Sequence, residues 1–117
     1  MPESTNTTDL ELSALETHVL LVLVEEGLHG YAIAKAIEKR EGPKIYPANL
    51  YRHLNRLAAR GLIESHGAEL DAKGRARKRF TIAALGLEAV RAEGRRLKTL
   101  LEELEQKDLV SPQPSMK

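Results

Sequence analysis

The chain has 117 residues, 42% of them hydrophobic and only 3% aromatic, which predicts one compact domain of the mainly α, α+β class. The sequence has no cysteine, which excludes a disulfide framework and a thiolate zinc site and is compatible with a reducing cytosol. The net charge of +1 excludes a uniformly basic protein, so any surface for a polyanion must come from a local concentration of charge.

The N-terminal segment, residues 1–9, is polar and rich in threonine, and we expect a disordered tail there. It lacks the positive segment and the apolar run of a signal peptide. The longest apolar run of the chain, Val19 to Val24, is too short to cross a bilayer. These features predict a cytoplasmic protein with no membrane partner.

A first helix is predicted to begin at a capping box formed by Ser13 and Glu16 and to continue up to Gly27. Its apolar side chains lie on more than one side, so the helix is either deeply buried or shared between the core and a second subunit. We assign three of its residues to a dimer interface: Leu15, Val19 and Val22.

A second helix is predicted from Gly30 to Arg40, with Ile33 and Ile37 facing the core. His29 stands at the helix entry, where a cap or turn contact is expected of it. Tyr31, in the first turn, is predicted to be a core residue.

A third helix is predicted from about Ala48 to Arg60. Its core stripe consists of Leu50, Leu54 and Leu57, which follow helical spacing. Pro47 suits the first turn, and Gly61 suits the left-handed residue that follows a helix.

The other faces of this third helix carry side chains that can fork onto phosphates or base edges, so we predict a DNA-recognition helix. Its predicted DNA contacts are Asn49, Tyr51, Arg52, His53, Asn55 and Arg56, and Arg60 also lies off the apolar stripe. Alternatives stay open for several of these residues. Asn49 could satisfy backbone amides at the helix start, Tyr51 could pack against the following hairpin, and the arginines could be solvated only.

A two-stranded hairpin is predicted next, with strands at Leu62–Ser65 and Lys78–Ile82 and with Asp71 and Gly74 as turn formers. Its tip, from about Ala68 to Arg77, is basic. The predicted DNA contacts of this segment are Lys73, Arg75, Arg77 and Lys78, which suit phosphate groups.

The order helix, helix, helix, basic hairpin over residues 10–83 predicts a winged helix-turn-helix, whose third helix enters the major groove. Residues 42–79 contain nine basic and three acidic residues, a net of +6, which leaves −5 for the rest of the chain. A basic block within an acidic surround suits phosphate neutralisation on one face. The alternative is a winged-helix module that binds protein instead of DNA, since the fold alone does not assign function.

The last helix, residues 84–107, carries an apolar seam with alternating spacings of three and four residues, the pattern of a coiled coil. The seam consists of Leu87, Val90, Gly94, Leu97, Leu101 and Leu104, and all of these except the glycine are predicted to form a dimer interface. The alternative is that they pack onto their own domain. Pairing would relate two recognition helices by a two-fold axis and predicts a palindromic DNA site. Residues 108–117 are predicted to be a disordered tail.

Four motifs follow one another along the chain: His29-Gly30-Tyr31, the segment Tyr46 to Leu57, Gly61 to Glu64, and Arg77 to Ile82 followed by Gly86. In this order they resemble the PadR family of bacterial transcriptional regulators, over about residues 12–105. The resemblance implies a winged-helix homodimer that represses promoters at inverted repeats and is often released by small molecules.

Two positions depart from the family pattern. The family usually has an aromatic residue where Arg79 stands and a capping Thr where Ala83 stands. The first departure implies a more basic wing, and the second implies a less firmly capped last helix.

Enzymatic activity, a metal site and a cofactor are not predicted. The histidines His18, His29, His53 and His66 are scattered, and no glycine-rich phosphate loop occurs. A small-molecule effector, if the protein has one, is predicted to bind between the first and last helices of the dimer. The residues predicted to line that site include Leu15, Val19, Val22, Leu97 and Leu101.

Overall fold

The computed structural model describes residues 11–40, 42–70 and 72–110, which form helices and one small antiparallel sheet. The helices are α1 (Ala14–Glu25), α2 (Gly30–Lys39), α3 (Pro47–Ala59) and α4 (Ala84–Gln106). The strands are β1 (Leu28–His29), β2 (Ile63–Leu70) and β3 (Ala76–Ile82). This order confirms the predicted winged helix-turn-helix of the α+β class.

Helix α1 begins at the predicted capping box. The Ser13 N–H donates to Glu16 Oε1 at 2.9 Å, and the Glu16 N–H donates to Ser13 Oγ at 3.1 Å. Two amides that the first helical turn would otherwise leave without partners are thereby satisfied. The helix then packs against α2, α4 and β3.

The hydrophobic core draws residues from every helix and from the hairpin. Its fully buried side chains include Val19, Leu20, Ile33, Ile37, Leu50, Leu54, Leu57, Leu62 and Phe80. The predicted leucine stripe of α3 and the two isoleucines of α2 therefore face the core as expected. Gly61, with φ +81°, ends α3 in the left-handed region as predicted, and Pro47 occupies the first turn.

The sheet has three strands in the order β1-β3-β2, all antiparallel, whereas the sequence predicted only the hairpin of β2 and β3. The strand that was not predicted, β1, pairs with β3 through Leu28 with Phe80 and His29 with Arg79. A two-residue strand carries no alternating pattern, so the sequence gives no signal for it. Both hairpin strands also extend further toward the tip than predicted, up to Leu70 and from Ala76.

Helix α4 docks onto the domain through its first turns. Gly86 is buried there, and a Cβ at this position would overlap the backbone carbonyl oxygen of Leu62, so only glycine allows this close approach. The N-cap residue is Ala83, which has no side-chain oxygen, and the expected weak capping of this helix is confirmed.

Helix α4 ends at Gln106. Just beyond it, Asp108 adopts φ +64°, and the Leu109 N–H donates to the Leu104 carbonyl oxygen at 2.9 Å. These two residues lie in the segment predicted to be a tail. The remainder of that segment, residues 111–117, and the predicted N-terminal tail, residues 1–9, lie outside the described residues. Within the described ranges, no helix has the length and hydropathy needed to cross a bilayer.

Candidate nucleic-acid interface

The surface face of α3 carries the polar side chains that the sequence singled out. Asn49, Arg52, Asn55 and Arg56 are all exposed, while the leucines behind them are buried. Arg52 Nη2 donates to Asn49 Oδ1 at 3.0 Å, so one turn of the helix presents an amide and a guanidinium as a unit. Asn49 thus bonds to a side chain rather than to the backbone amides of the helix start.

Tyr51 and His53 are less accessible than the other predicted contacts of α3. Both are half-buried, and the Tyr51 ring lies 6.2 Å from the ring of Phe80 in β3, with its hydroxyl end beside Gly30. This is the packing against the hairpin that the sequence left open as an alternative. The Nδ1 atom of His53 is buried without a hydrogen-bond partner among the described residues.

Arg60 serves the domain itself. Its Nη1 donates to Glu16 Oε2 at 3.4 Å, and its Nη2 donates to the Glu11 carbonyl oxygen at 2.9 Å. These bonds join the end of α3 to the start of α1. Glu16 is therefore shared between the capping box and an ion pair, and the position of Arg60 off the apolar stripe did not reveal this structural role.

The wing segment places its cations around a cleft of about 330 Å³ between the start of α2 and the hairpin tip. The residues that line it are His29, Tyr31, Ala32, Ala72, Lys73, Arg75 and Arg77. Three of the four wing residues predicted to contact DNA thus converge on one cleft. Lys78, the fourth, is exposed on β3.

Tyr31 was predicted to be a core residue, and this prediction is wrong, because 52% of its surface is exposed. The ring lies between two cations from different elements: Lys35 Nζ is 5.9 Å from the ring centroid, and the Arg77 guanidinium carbon is 6.0 Å from it. Both distances are within the range of cation–π attraction. The sequence pattern could not show this, since Arg77 is distant along the chain.

A second depression adjoins Tyr31 on its other side and extends toward the start of α3. Its lining includes Lys35, Glu38, Lys44 and Pro47. Tyr31 borders both depressions. Wing cations line the first, and Lys35 and Lys44 line the second together with Glu38. Sequence reasoning missed Tyr31 and Lys35 as members of this surface.

Arg79 does not extend this cationic surface, although the sequence suggested a more basic wing. It is half-buried, and its guanidinium group lies against Gly27, where a Cβ would come within 2.8 Å of it. The position pairs with His29 in β1. The side chain of Arg79 is therefore packed against Gly27, although its strand is the central one of the sheet.

The predicted dimer residues fall into three groups. Val19 and Val22 are buried in the core of the single chain, with 0% and 6% of their surfaces exposed, so they offer a partner little or no surface. Leu15, Leu87 and Val90 are half-buried against their own domain. The exposed group consists of Leu97, Leu101 and Leu104, together with Leu100, which the seam omitted.

Helix α4 also carries an ion pair between Glu93 and Arg96. The Glu93 side chain is buried, and Arg96 Nε donates to Glu93 Oε1 at 3.0 Å with a second bond from Arg96 Nη2 to Oε2. These hydrogen bonds hold the pKa of Glu93 below its ordinary value, against the opposing effect of desolvation. No cluster of metal-ligating side chains occurs in the described part of the chain.

Comparisons with known proteins agree with this geometry. The model of a family described as "Transcriptional regulator PadR-like family" matches residues 19–92. A crystal structure of a PadR family transcription regulator from hypervirulent Clostridium difficile is similar in fold, with a TM-score of 0.71 and 19% identity over 80% of this chain and 97% of that chain. A PadR family transcriptional regulator from Eggerthella lenta is 28% identical with a TM-score of 0.65, over 82% of this chain and 84% of that chain.

A curated relative extends beyond this chain. It is an uncharacterized 37.1 kDa protein in a transposon of Streptomyces fradiae, and it is 40% identical over 75 residues, or 64% of this chain. The aligned region spans 20% of that relative.

Proposed function

Because the chain belongs to the PadR-like family of transcriptional regulators, we propose that it is a repressor that binds an inverted-repeat DNA site as a homodimer. One observation carries the proposal: the exposed face of α3 presents arginine and asparagine side chains beside a cationic wing. A module that binds only protein would have no need of this charge distribution.

In this proposal α3 reads base edges in the major groove. Arg52 and Arg56 are exposed one turn apart. One guanidinium group can donate two hydrogen bonds to a guanine, one to O6 and one to N7. Asn55 is exposed beside them and can read an adenine edge. Asn49 is held by Arg52, which fixes the direction of that guanidinium before DNA arrives. The half-buried Tyr51 and His53 would contribute to the shape of the α3 surface more than to direct contacts with DNA.

The wing and Tyr31 bind the phosphate backbone in this proposal. Lys73, Arg75 and Arg77 line one cleft, and Lys78 is exposed on the adjoining strand. The Tyr31 hydroxyl can donate to a phosphate oxygen while the neighbouring cations neutralise it. Such contacts add affinity and salt dependence to every sequence alike.

Two copies of the chain pair through α4 in this proposal. The supporting observation is that the leucines in the second half of this helix are exposed in the single chain. A small-molecule effector would act from the same region, bounded by the half-buried Leu15 and the exposed Leu97 and Leu101. It would release DNA by changing the angle between the two subunits.

Selection from genomic DNA tests the proposal. The purified protein is incubated with sheared genomic DNA at physiological salt, and the retained fragments are sequenced. We expect one short inverted repeat to dominate, with half-sites about one helical turn apart, near 34 Å.

The control is an R52A/R56A double variant, which keeps the wing. We expect it to retain fragments without a dominant sequence. Retention without any preferred sequence by the wild-type protein would contradict sequence-specific regulation. A complete absence of retention would favour a module that binds protein.

A further inference from the structure

The start of α3 exposes an apolar surface that the polar contacts of the site do not use. Tyr46, the residue before the helix, has 79% of its surface exposed, the largest fraction of any large hydrophobic side chain in the described ranges. Pro47 and Ala48, the first two helical residues, are exposed as well. We call these three residues the apolar tip of α3.

The fold makes little use of the Tyr46 ring. Tyr46 is the N-cap of α3, yet it forms no side-chain hydrogen bond to the helix, whereas a serine or an aspartate would satisfy an amide there. Of the other tyrosines, Tyr51 lies beside Phe80 and Tyr31 lies beside two cations. No hydrogen bond or ring contact joins the Tyr46 side chain to the part of the chain that the structure describes. The ring is therefore available to a partner.

The backbone of the apolar tip is held in one conformation. A proline fixes its own φ at about −65° and restricts the preceding residue to extended conformations. Tyr46 has φ −75° and ψ 144°, within that region, and its carbonyl oxygen accepts a hydrogen bond from the Leu50 N–H at 3.0 Å. A tyrosine side chain also has few rotatable bonds. Little conformational freedom is therefore lost when a partner contacts the ring.

The position of the apolar tip indicates which partner it meets. The N-terminal residues of a recognition helix contact base edges in the major groove. The hydrogen-bonded pair of Asn49 and Arg52 follows directly after the tip. In the proposed complex with DNA, the tip and this polar pair therefore adjoin the same base pairs.

The base pairs display one apolar group in the major groove, the C5-methyl group of thymine. The other groups displayed there are hydrogen-bond donors and acceptors, which an apolar surface would leave without partners. 5-Methylcytosine carries the same methyl group on the same ring carbon. An apolar surface in the groove is therefore complementary to a pyrimidine with a C5-methyl group and not to unmodified cytosine.

We propose that the apolar tip, through the Tyr46 ring, binds the C5-methyl group of a pyrimidine in each half-site. Thymine supplies this group in unmodified DNA, and 5-methylcytosine supplies it in methylated DNA. Binding at this position thus depends on cytosine methylation. The inference rests on the proposed DNA binding by α3, and it adds a specificity residue, the group it reads and a form of regulation.

Removal of single methyl groups from the DNA tests the contact. The site selected from genomic DNA is synthesised with each thymine of one half-site replaced in turn by deoxyuridine, which lacks only the C5-methyl group. Fluorescence anisotropy measures the binding of the wild type and of Y46A. We expect one replacement to weaken binding of the wild type about fourfold, the effect of returning one buried methyl group to water. The same replacement should leave the affinity of Y46A unchanged.

Addition of a methyl group tests the regulation. At the thymine that responds, the base pair is changed to cytosine with guanine or to 5-methylcytosine with guanine, two sites that differ only in the methyl group. We expect the wild type to bind the methylated site about fourfold more tightly than the unmethylated one. Y46A should bind both sites equally.

Two further variants assign the effect to the ring. Y46F keeps the ring and should keep the wild-type preference for thymine over deoxyuridine. Y31A removes the other exposed tyrosine and should weaken binding to both sites by the same factor, because phosphate contacts carry no sequence information. Because Tyr46 is exposed, Y46A should unfold at the same temperature as the wild type, so a loss of discrimination is not a loss of folding.

The outcomes separate this contact from the proposed function. Deoxyuridine replacements that weaken the wild type and Y46A by the same factor would assign the methyl contact to another residue and overturn the inference, with sequence-specific binding intact. A wild type that responds to no replacement would overturn it likewise. If Y46A binds every DNA as tightly as the wild type, the apolar tip serves a protein partner and the inference is wrong. A selection without any dominant sequence would overturn the proposed function itself, and the methyl contact with it.

Discussion

Helices α3 and α4 are both amphipathic and both bury one face in the same core, yet they expose opposite chemistry. The exposed face of α3 carries arginine and asparagine, whereas the second half of α4 exposes four leucines. Polar cations exposed on a helix are stable in water and require a polyanion only for function. Exposed leucines are costly in water by about 25 cal/mol per Å² of apolar surface, so we expect this surface to be covered in the working protein.

The largest expected difference is between a buried leucine of α3 and an exposed leucine of α4. Leu54→Ala should lower the free energy of unfolding by about 2 to 5 kcal/mol, because Leu54 is fully buried and its removal leaves a cavity. Leu101→Ala should change the stability of the monomer by less than about 0.5 kcal/mol. Urea denaturation at a protein concentration where the chain is monomeric measures both.

The same two variants then distinguish folding from assembly. At high protein concentration, Leu101→Ala should lower the denaturation midpoint of the dimer, since a ligand or subunit that binds only the folded state stabilises it. A large loss from Leu101→Ala in the monomer would show that the stripe packs within its own chain, and the contrast with α3 would disappear.

The next difference concerns the two kinds of cation. Arg52→Ala and Arg56→Ala should each weaken a specific DNA site by about 1 to 3 kcal/mol and affect random DNA less. Lys78→Ala should weaken both DNAs equally and reduce the slope of log affinity against log salt by about one. Fluorescence anisotropy titrations at four salt concentrations measure these quantities. Equal losses on both DNAs for all three variants would reject base reading by α3.

The sequence predicted well wherever one local pattern determines the structure. The leucine stripe and the terminal Pro47 and Gly61 defined α3 to within one residue at each end, because helical spacing and helix termini depend only on neighbours along the chain. The capping box of α1 is equally local, and it formed as predicted. The winged helix-turn-helix followed from the order of such elements.

The sequence failed where the outcome depends on distant contacts. Tyr31 has the apolar surroundings of a core residue in sequence, but its ring lies at the surface beside Arg77 of another element. The seam of α4 gave two alternatives. Val90 packs on its own domain, as one of them predicts, whereas Leu101 is exposed, and pairing through that second half stays a prediction. Which half docks depends on Gly86 and the backbone it meets, and no spacing rule shows that contact.

A pH dependence of stability separates the docked half of α4 from the exposed half. Hydrogen bonds from Arg96 hold the pKa of Glu93 below its ordinary value of 4.5. A depressed pKa in the folded state contributes stability above about pH 4.5, and that contribution is lost as the pH falls through the folded value. The difference in Tm between wild type and Glu93→Gln should therefore be constant at neutral pH and shrink below pH 4.5.

The matched control is Glu102→Gln, which removes a carboxylate that is exposed on the same helix. Its effect on Tm should be small throughout the same pH range. An equal and constant effect of both variants down to pH 3 would show that the Glu93–Arg96 pair adds nothing to the docking of α4.

The smallest expected effect concerns Tyr31 and sharpens the border between α3 and the wing. Tyr31→Phe keeps the ring between its two cations and removes only the hydroxyl. It should weaken binding to specific and random DNA alike by about 1 kcal/mol if the hydroxyl bonds a phosphate.

Lys35→Ala should reduce the slope of log affinity against log salt by about one. Lys39→Ala on the same helix should not, because Lys39 lines a different cleft beside Glu25 and Glu26. Equal slopes for both lysine variants would confine the phosphate contacts to the wing. If Tyr31→Phe instead weakened binding only to the specific site, Tyr31 would belong to the base-reading surface. Base reading would then extend beyond α3 to the start of α2.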